Sequence, residues 1–257
     1  MFQTVIDAFA QLPEIEAIAL GGSRSGVHYD ETSDYDIYLY CTAPVPEETR
    51  REILEKYCSR LEISNHFWEL EDNGTFLDGI DFDILYRNLD DFVAGVASVV
   101  EGCQAQNAYT TCMWHNLITS KILFDRHGRL AQAQNRFSVP YPEALRQNIL
   151  NRGWQLLHSS MPAYELQIAK AAKRGDLVSI NHRTAAFLET YFDMLFAINR
   201  KTHPGEKRLM SLATECCPVL PEAFEENLNA LFRHMFIDPD ALVKDIHRIV
   251  DELEKIL

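Results

Sequence analysis

Residues 20–37 read LGGSRSGVHYDETSDYDI, and three features meet in them. The preceding run, Ile15-Glu-Ala-Ile-Ala-Leu20, is short and rich in Ile and Leu. It predicts a buried strand that ends on Gly21-Gly22-Ser23. A polar loop follows. Ser33-Asp34-Tyr35-Asp36 then opens a second strand, Tyr35–Tyr40. Its alternation puts Asp36, Tyr38 and Tyr40 on one face and Tyr35, Ile37 and Leu39 on the other.

A particular chemistry needs this arrangement. Gly22 has no Cβ, so backbone there can approach a ligand closely. A Gly-Gly-Ser turn offers N–H groups and a hydroxyl to phosphate oxygens. Asp34 and Asp36 stand two apart at the start of a strand, so their carboxylates share a face and repel unless a cation lies between them. Magnesium carrying a nucleoside triphosphate is the natural occupant, because it takes few carboxylates and shares its shell with phosphates. Gly79-Ile-Asp-Phe-Asp-Ile-Leu-Tyr86 predicts a further strand, with Asp81 and Asp83 on one face, able to supply a third carboxylate. Two ions about 4 Å apart could then clamp the attacking and leaving oxygens of an in-line displacement.

Working outward, Phe2, Val5, Ile6 and Phe9 recur at helical spacing and stop before Pro13. Residues 46–61 predict an amphipathic helix with acidic residues in its first turn. Residues 65–70 predict a strand, Asp72-Asn73-Gly74 a turn, Leu89–Val100 a helix, and Ile122–Phe124 a short strand ahead of a turn at 125–128. From about Tyr141 the strand signals vanish. Helical segments are expected at 142–158, 162–174, 177–199, 206–215, 221–235 and 239–256, broken by prolines and glycines such as Pro162, Gly175 and Pro204-Gly205. The expected class is α/β (α+β): a mixed-sheet domain over 1–138, then an all-helical bundle over 139–257. Phe187, Tyr191, Met194, Leu195 and Ile198 read as bundle core.

Composition narrows the partners. The chain has 257 residues and a net charge of −14, from 38 acidic against 24 basic residues. No basic stripe is present to meet a polynucleotide, so a nucleic-acid partner is disfavoured and a small or cationic acceptor suits better. The six cysteines form no C-x-x-C pair and read as free thiols of a reducing compartment. Residues 1–20 lack a basic stretch and do not read as a signal peptide. No run reaches the roughly 18 apolar residues of a membrane span. The expected location is the cytoplasm.

Gly22-Ser23, ten intervening residues, then Asp34-Tyr35-Asp36-Ile37 resembles the signature of the polymerase-beta-like nucleotidyltransferase superfamily, which includes kanamycin- and lincosamide-type antibiotic nucleotidyltransferases. Val27–Asp36, Phe82–Arg87, Ile122–Gly128, Ala197–Arg200 and Pro204–Lys207 resemble one branch with a helical C-terminal region, the domain of unknown function numbered 4037. The resemblance implies that Gly22 and Ser23 cradle the triphosphate and that Asp34 and Asp36 bind both of two Mg2+ ions. It selects Asp83 over Asp81 as the third ligand and as a base toward the acceptor hydroxyl. Arg24 and Lys207 are candidates to meet phosphate, each weighed against a plain surface role.

The remaining candidates read as structural. Ser33 caps the turn, Trp68 and Trp114 belong to the core, and His28, His66 and His115 are isolated. The reading is a nucleotidyltransferase that moves an NMP, on the family's habit AMP from ATP, to a hydroxyl of a small molecule such as an antibiotic. One other reading stays open, a module that modifies or binds a partner protein, as in toxin–antitoxin pairs; the intact acidic triad argues against a third, a catalytically silent nucleotide-binding protein. The sequence does not name the acceptor, the base or the oligomeric state.

Overall fold

The structure is a computed structural model and describes residues 1–22, 24, 33–67 and 69–257. The chain divides into two compact units, Met1–Ala97 with Asn116–Val139, and Ser98–His115 with Pro140–Leu257.

The first unit holds a six-stranded mixed sheet. In chain order its elements are α1 (Phe2–Gln11), β1 (Ile15–Leu20), β2 (Tyr35–Cys41), α2 (Glu47–Leu54), β3 (Cys58–Asn65), β4 (Glu71–Phe76), β5 (Asp81–Arg87), the first turns of α3 (Leu89–Val100), the end of α4 (Cys112–Thr119), β6 (Lys121–Asp125) and α5 (Arg129–Phe137). The strand order is β3-β4-β5-β2-β1-β6. Only the central pair, β2 and β5, is parallel; the other neighbours are antiparallel. One face is apolar. Ile18, Leu20, Ile37, Leu39, Phe82 and Ile84 form a single buried cluster with Val5, Ile6 and Phe9 of α1 and Leu54 of α2. Truncating a ring buried as fully as that of Phe82 costs about 3–5 kcal/mol. The opposite face carries Asp36, Tyr38 and Tyr40 of β2 beside Asp83, Leu85 and Arg87 of β5.

Three local expectations give way. The helix expected over 46–61 ends at Leu54, and Cys58–Asn65 is strand. Leu54, Cys58 and Leu61 stand at i, i+4 and i+7, which mimics a helix, but Leu61 and Ile63 alternate and both pack on the core. The strand expected at 65–70 lies instead at Glu71–Phe76, so the turn expected at Asp72-Asn73-Gly74 is the middle of β4. Tertiary partners explain why turn-type residues sit in a strand. Asp72 is fully buried against Arg50 at 2.5 Å, and it also accepts from Tyr86 Oη at 2.7 Å and from the Ser64 N–H at 2.9 Å. A Cβ at Gly74 would lie 2.7 Å from both the Phe82 ring and the Arg60 carbonyl oxygen.

The second unit is helical. It contains α6 (Glu143–Trp154), which runs into a π-helical turn at Gln155–Ser159, then α7 (Tyr164–Arg174), α8 (Leu177–Ile198), α9 (Leu209–Cys216), α10 (Phe224–His234) and α11 (Pro239–Glu254). The long α8 is its spine, with Phe187 and Tyr191–Ile198 all buried. Asp176 and Asp238 cap α8 and α11 by accepting from the N–H groups of Ser179 and Ala241. Trp114 is buried against Tyr141, as a core aromatic side chain. Asp193 on α8 accepts from both the N–H and the hydroxyl of Thr110, which ties 98–115 to this unit.

None of the six cysteines is in a disulfide, and burial pushes the thiols of Cys41 and Cys217 up to about 12. Among the described residues no helix is long and apolar enough to cross a membrane.

Candidate active site

The carboxylates lie where β1 ends and β2 and β5 begin. β1 runs antiparallel to β2 up to Leu20 opposite Ile37, and the Gly21 N–H then donates to the Asp36 carbonyl at 2.8 Å. Across the parallel pair, Asp36 is the register partner of Asp83. Register partners on parallel strands project to the same face, with backbones about 4.8 Å apart. Two acidic side chains far apart in sequence are therefore neighbours.

Gly21 and Gly22 are dictated by what stands beside them. Gly22 adopts φ +59°, a conformation that L side chains rarely take. A Cβ there would lie 1.7 Å from Asp36 Oδ2, so the Asp36 carboxylate occupies the space a side chain would fill. A Cβ on Gly21 would fall 2.2 Å from the Tyr38 ring. Behind Asp36 on the same face, the Tyr38 hydroxyl accepts from Asn116 Nδ2 at 2.8 Å, and the Arg87 guanidinium lies 4.5 Å from the Tyr38 ring centroid. Arg87 makes two hydrogen bonds of 2.7 Å to Glu69, which neutralises it.

Asp83 is oriented from β4. Asn73, its register partner there, donates from Nδ2 to Asp83 Oδ1 at 2.6 Å, and Asn65 donates to Asn73 Oδ1 at 2.6 Å. This amide relay is absent from the sequence reading, because Asn73 sat in the supposed turn. Its register is fixed next door by the buried Asp72–Arg50 pair. Asp81 is exposed and accepts from the Thr75 hydroxyl at 2.6 Å.

The other candidates are placed as follows. Asp34 is exposed, one residue before β2. Arg24 donates from Nε to the Ser33 carbonyl at 2.5 Å and lies 4.1 Å from the Tyr35 ring centroid. Ser23, with Ser25, His28 and Trp68, lies outside the described residues. Lys207 is exposed and belongs to the helical unit, just ahead of α9. His66 is exposed, and His115 hydrogen-bonds Thr202 through Nδ1 at 2.7 Å. Among the described residues no three His, Cys, Asp or Glu side chains are gathered closely enough to enclose a metal ion. The structure thus joins Asp36 to Asp83 and leaves Asp34 at the rim.

The donors suit a hard divalent cation. They are carboxylate oxygens without nitrogen or sulfur, and the absence of a Cβ at Gly22 is what lets the Asp36 carboxylate lie against the backbone there.

Several known proteins are similar to the chain. A nucleotidyltransferase-like protein from Exiguobacterium sibiricum 255-15 is 12% identical over 99% of this chain and 72% of its own, with a TM-score of 0.44. An aminoglycoside 6-adenyltransferase from Bacillus subtilis is 11% identical over 99% of this chain and 89% of its own, with a TM-score of 0.31. At these values neither likeness fixes what this chain does. No curated protein matches it significantly. Residues 109–209, which contain the fragments Ile122–Gly128, Ala197–Arg200 and Pro204–Lys207, match the family described as Domain of unknown function (DUF4037).

Proposed function

We propose that the protein is a metal-dependent nucleotidyltransferase that moves an NMP from an NTP, ATP by preference, to a hydroxyl of a small-molecule acceptor in the cytoplasm. The observation that carries this reading is the pairing of Asp36 with Asp83 in register, with the Asp36 carboxylate lying in the space that Gly22 leaves.

In this reading Asp36 and Asp83, with Asp34 at the rim, would hold two Mg2+ ions, and the chemistry such ions supply is neutralisation of charge on the attacking and leaving oxygens. The chain's own residues do the rest. Gly22, with Ser23, admits the triphosphate close to backbone. Asp83, fixed by Asn73, takes the proton from the acceptor hydroxyl. The acceptor oxygen bonds to the α-phosphorus as the bond to the β-phosphate oxygen breaks, and pyrophosphate leaves. Arg24 and Lys207 are proposed to add positive charge toward the phosphates. The net charge of −14 and the lack of a basic stripe support a small, cationic or neutral acceptor over a polynucleotide.

The test is turnover of ATP labelled in the α-phosphate, with Mg2+ and a panel of hydroxylated acceptors. Asp34→Asn should lower transfer by roughly a thousandfold, because a shared ligand is lost. Equal activity would remove Asp34 from the mechanism. Asp83→Asn should abolish transfer while nucleotide binding persists, and greater damage from Asp81→Asn would overturn the choice of third ligand.

A further inference from the structure

The helical unit contains an open groove of about 580 Å³, to none of whose lining residues the proposed transfer assigns a part. Its walls come from Tyr109, from Leu188 and Phe192 on α8, from Met210 on α9 and from Phe232 on α10. That size and apolar character suit a small organic molecule. Phe232, half exposed, leaves an aromatic side chain on the rim. Two carboxylates, Glu189 of α8 and Glu206 ahead of α9, line the same space. Neither carboxylate makes a hydrogen bond or an ion pair with any described residue, and Arg208, the exposed cation on the groove wall, is paired with neither. Burial raises the Glu189 carboxyl above its ordinary range, and the charge of Glu206 raises it further. Glu189 is half-buried and Glu206 is exposed at the edge of the same apolar wall, so two like charges stand close enough to repel each other and to favour a cation beside them.

We propose that the helical unit binds a primary amine with an apolar body, its ammonium held between Glu189 and Glu206 and its body lying against Leu188, Phe192, Met210 and Phe232. A hydroxyl-rich polycation fits these walls badly, because its hydroxyls would be stripped of water against Leu, Phe and Met without gaining partners. An anion is repelled by both glutamates. The ammonium has three donors, enough to serve both carboxylates. The site stands on residues of the helical unit alone and holds whether or not the protein transfers nucleotides.

The experiment is calorimetric titration of the full chain, without nucleotide, using 2-phenylethylamine and its neutral isostere 2-phenylethanol. The amine should saturate one site and bind at least about tenfold tighter than the alcohol, the value of a charge-assisted hydrogen bond. Glu189→Gln combined with Glu206→Gln should erase that advantage and leave alcohol binding unchanged, which also shows that the pocket stays folded. Ala185→Trp, on the groove wall, should weaken both ligands. Asp36→Asn should change neither titration, which separates this site from the nucleotidyl-transfer reading. Equal affinities for amine and alcohol, no saturable binding of either, or an amine affinity unmoved by the double substitution would overturn the proposal.

Discussion

Replacing Gly22 by alanine separates the site from the fold. Two effects are expected and they differ in size. The backbone effect comes from φ +59°, which costs an L residue about 1–2 kcal/mol. For a chain of this size that lowers the melting temperature by about 2–8 °C. The contact effect is local. The new Cβ would stand 1.7 Å from Asp36 Oδ2, whereas ordinary contact begins at 3.4 Å, so the oxygen must retreat by about 1.7 Å (3.4 − 1.7). The obstructed atom is the tip of a side chain, so it can turn aside and the sheet survives. A catalytic group displaced by 1 Å already costs about a hundredfold in rate. Gly22→Ala should therefore lose at least about a hundredfold in transfer while folding cooperatively. Gly79→Ala is the matched control: its φ is +86° and nothing lies within 4 Å of its Cβ position. It should show a similar drop in melting temperature and full activity. Thermal denaturation and α-labelled ATP turnover on both variants decide the matter. Full activity in Gly22→Ala, or equal losses in the two, would refute the reasoning.

Two further outcomes follow from named contacts. Asn73→Ala removes the donor that fixes Asp83 and should lower the turnover rate about tenfold or more, whereas Thr75→Ala, which releases only the exposed Asp81, should leave it unchanged; steady-state kinetics on the pair checks this. His203 is fully buried, between the rings of Tyr109 and Phe196, with its Nδ1 accepting from the Gly205 N–H; burial, with the nearby His115, lowers its imidazole from 6.5 to about 4. The folded state therefore prefers the neutral ring. Its contribution is fully present above pH 6.5 and is lost as pH falls to about 4, worth about 3 kcal/mol in all. Asp193, raised to about 6 by burial, works in the opposite sense, because its protonation in the folded state adds stability as pH falls from 6 toward 3.8. Urea unfolding at pH 7 and pH 4 should show that His203→Phe makes the protein less sensitive to acid than the wild type by about 3 kcal/mol; any constant cost of the substitution cancels in that difference, and an unchanged pH dependence would refute the assignment.

What the sequence made legible was local. β1, β2 and β5 carry strong apolar or alternating runs, and the helices after 141 carry clear periodicity between proline and glycine breaks, so both were readable. β4 was not. Asp72, Asn73 and Gly74 have turn chemistry, and only long-range partners (Arg50, Asp83 and the Phe82 ring) explain a strand there. The short α5 escaped for a different reason: its buried stripe is just Leu130, Ala133 and Phe137 among polar residues. At the candidate site, the Asp34-x-Asp36 spacing is legible in the sequence, and it is the family resemblance that singles out Asp83 over Asp81. The register that sets Asp36 beside Asp83, and the Asn65–Asn73 relay behind it, depend on strand pairing that no local pattern encodes.

The central claim is that Asp36 and Asp83 jointly hold divalent cations beside a bound nucleotide. Paramagnetic titration with Mn2+ in the presence of a non-hydrolysable ATP analogue tests it directly, on the wild type and on Asp36→Asn and Asp83→Asn. Two bound ions per chain in the wild type, with a loss of stoichiometry or at least about tenfold in affinity in either variant, is the expected result. Mn2+ binding that is identical in all three proteins would contradict the account.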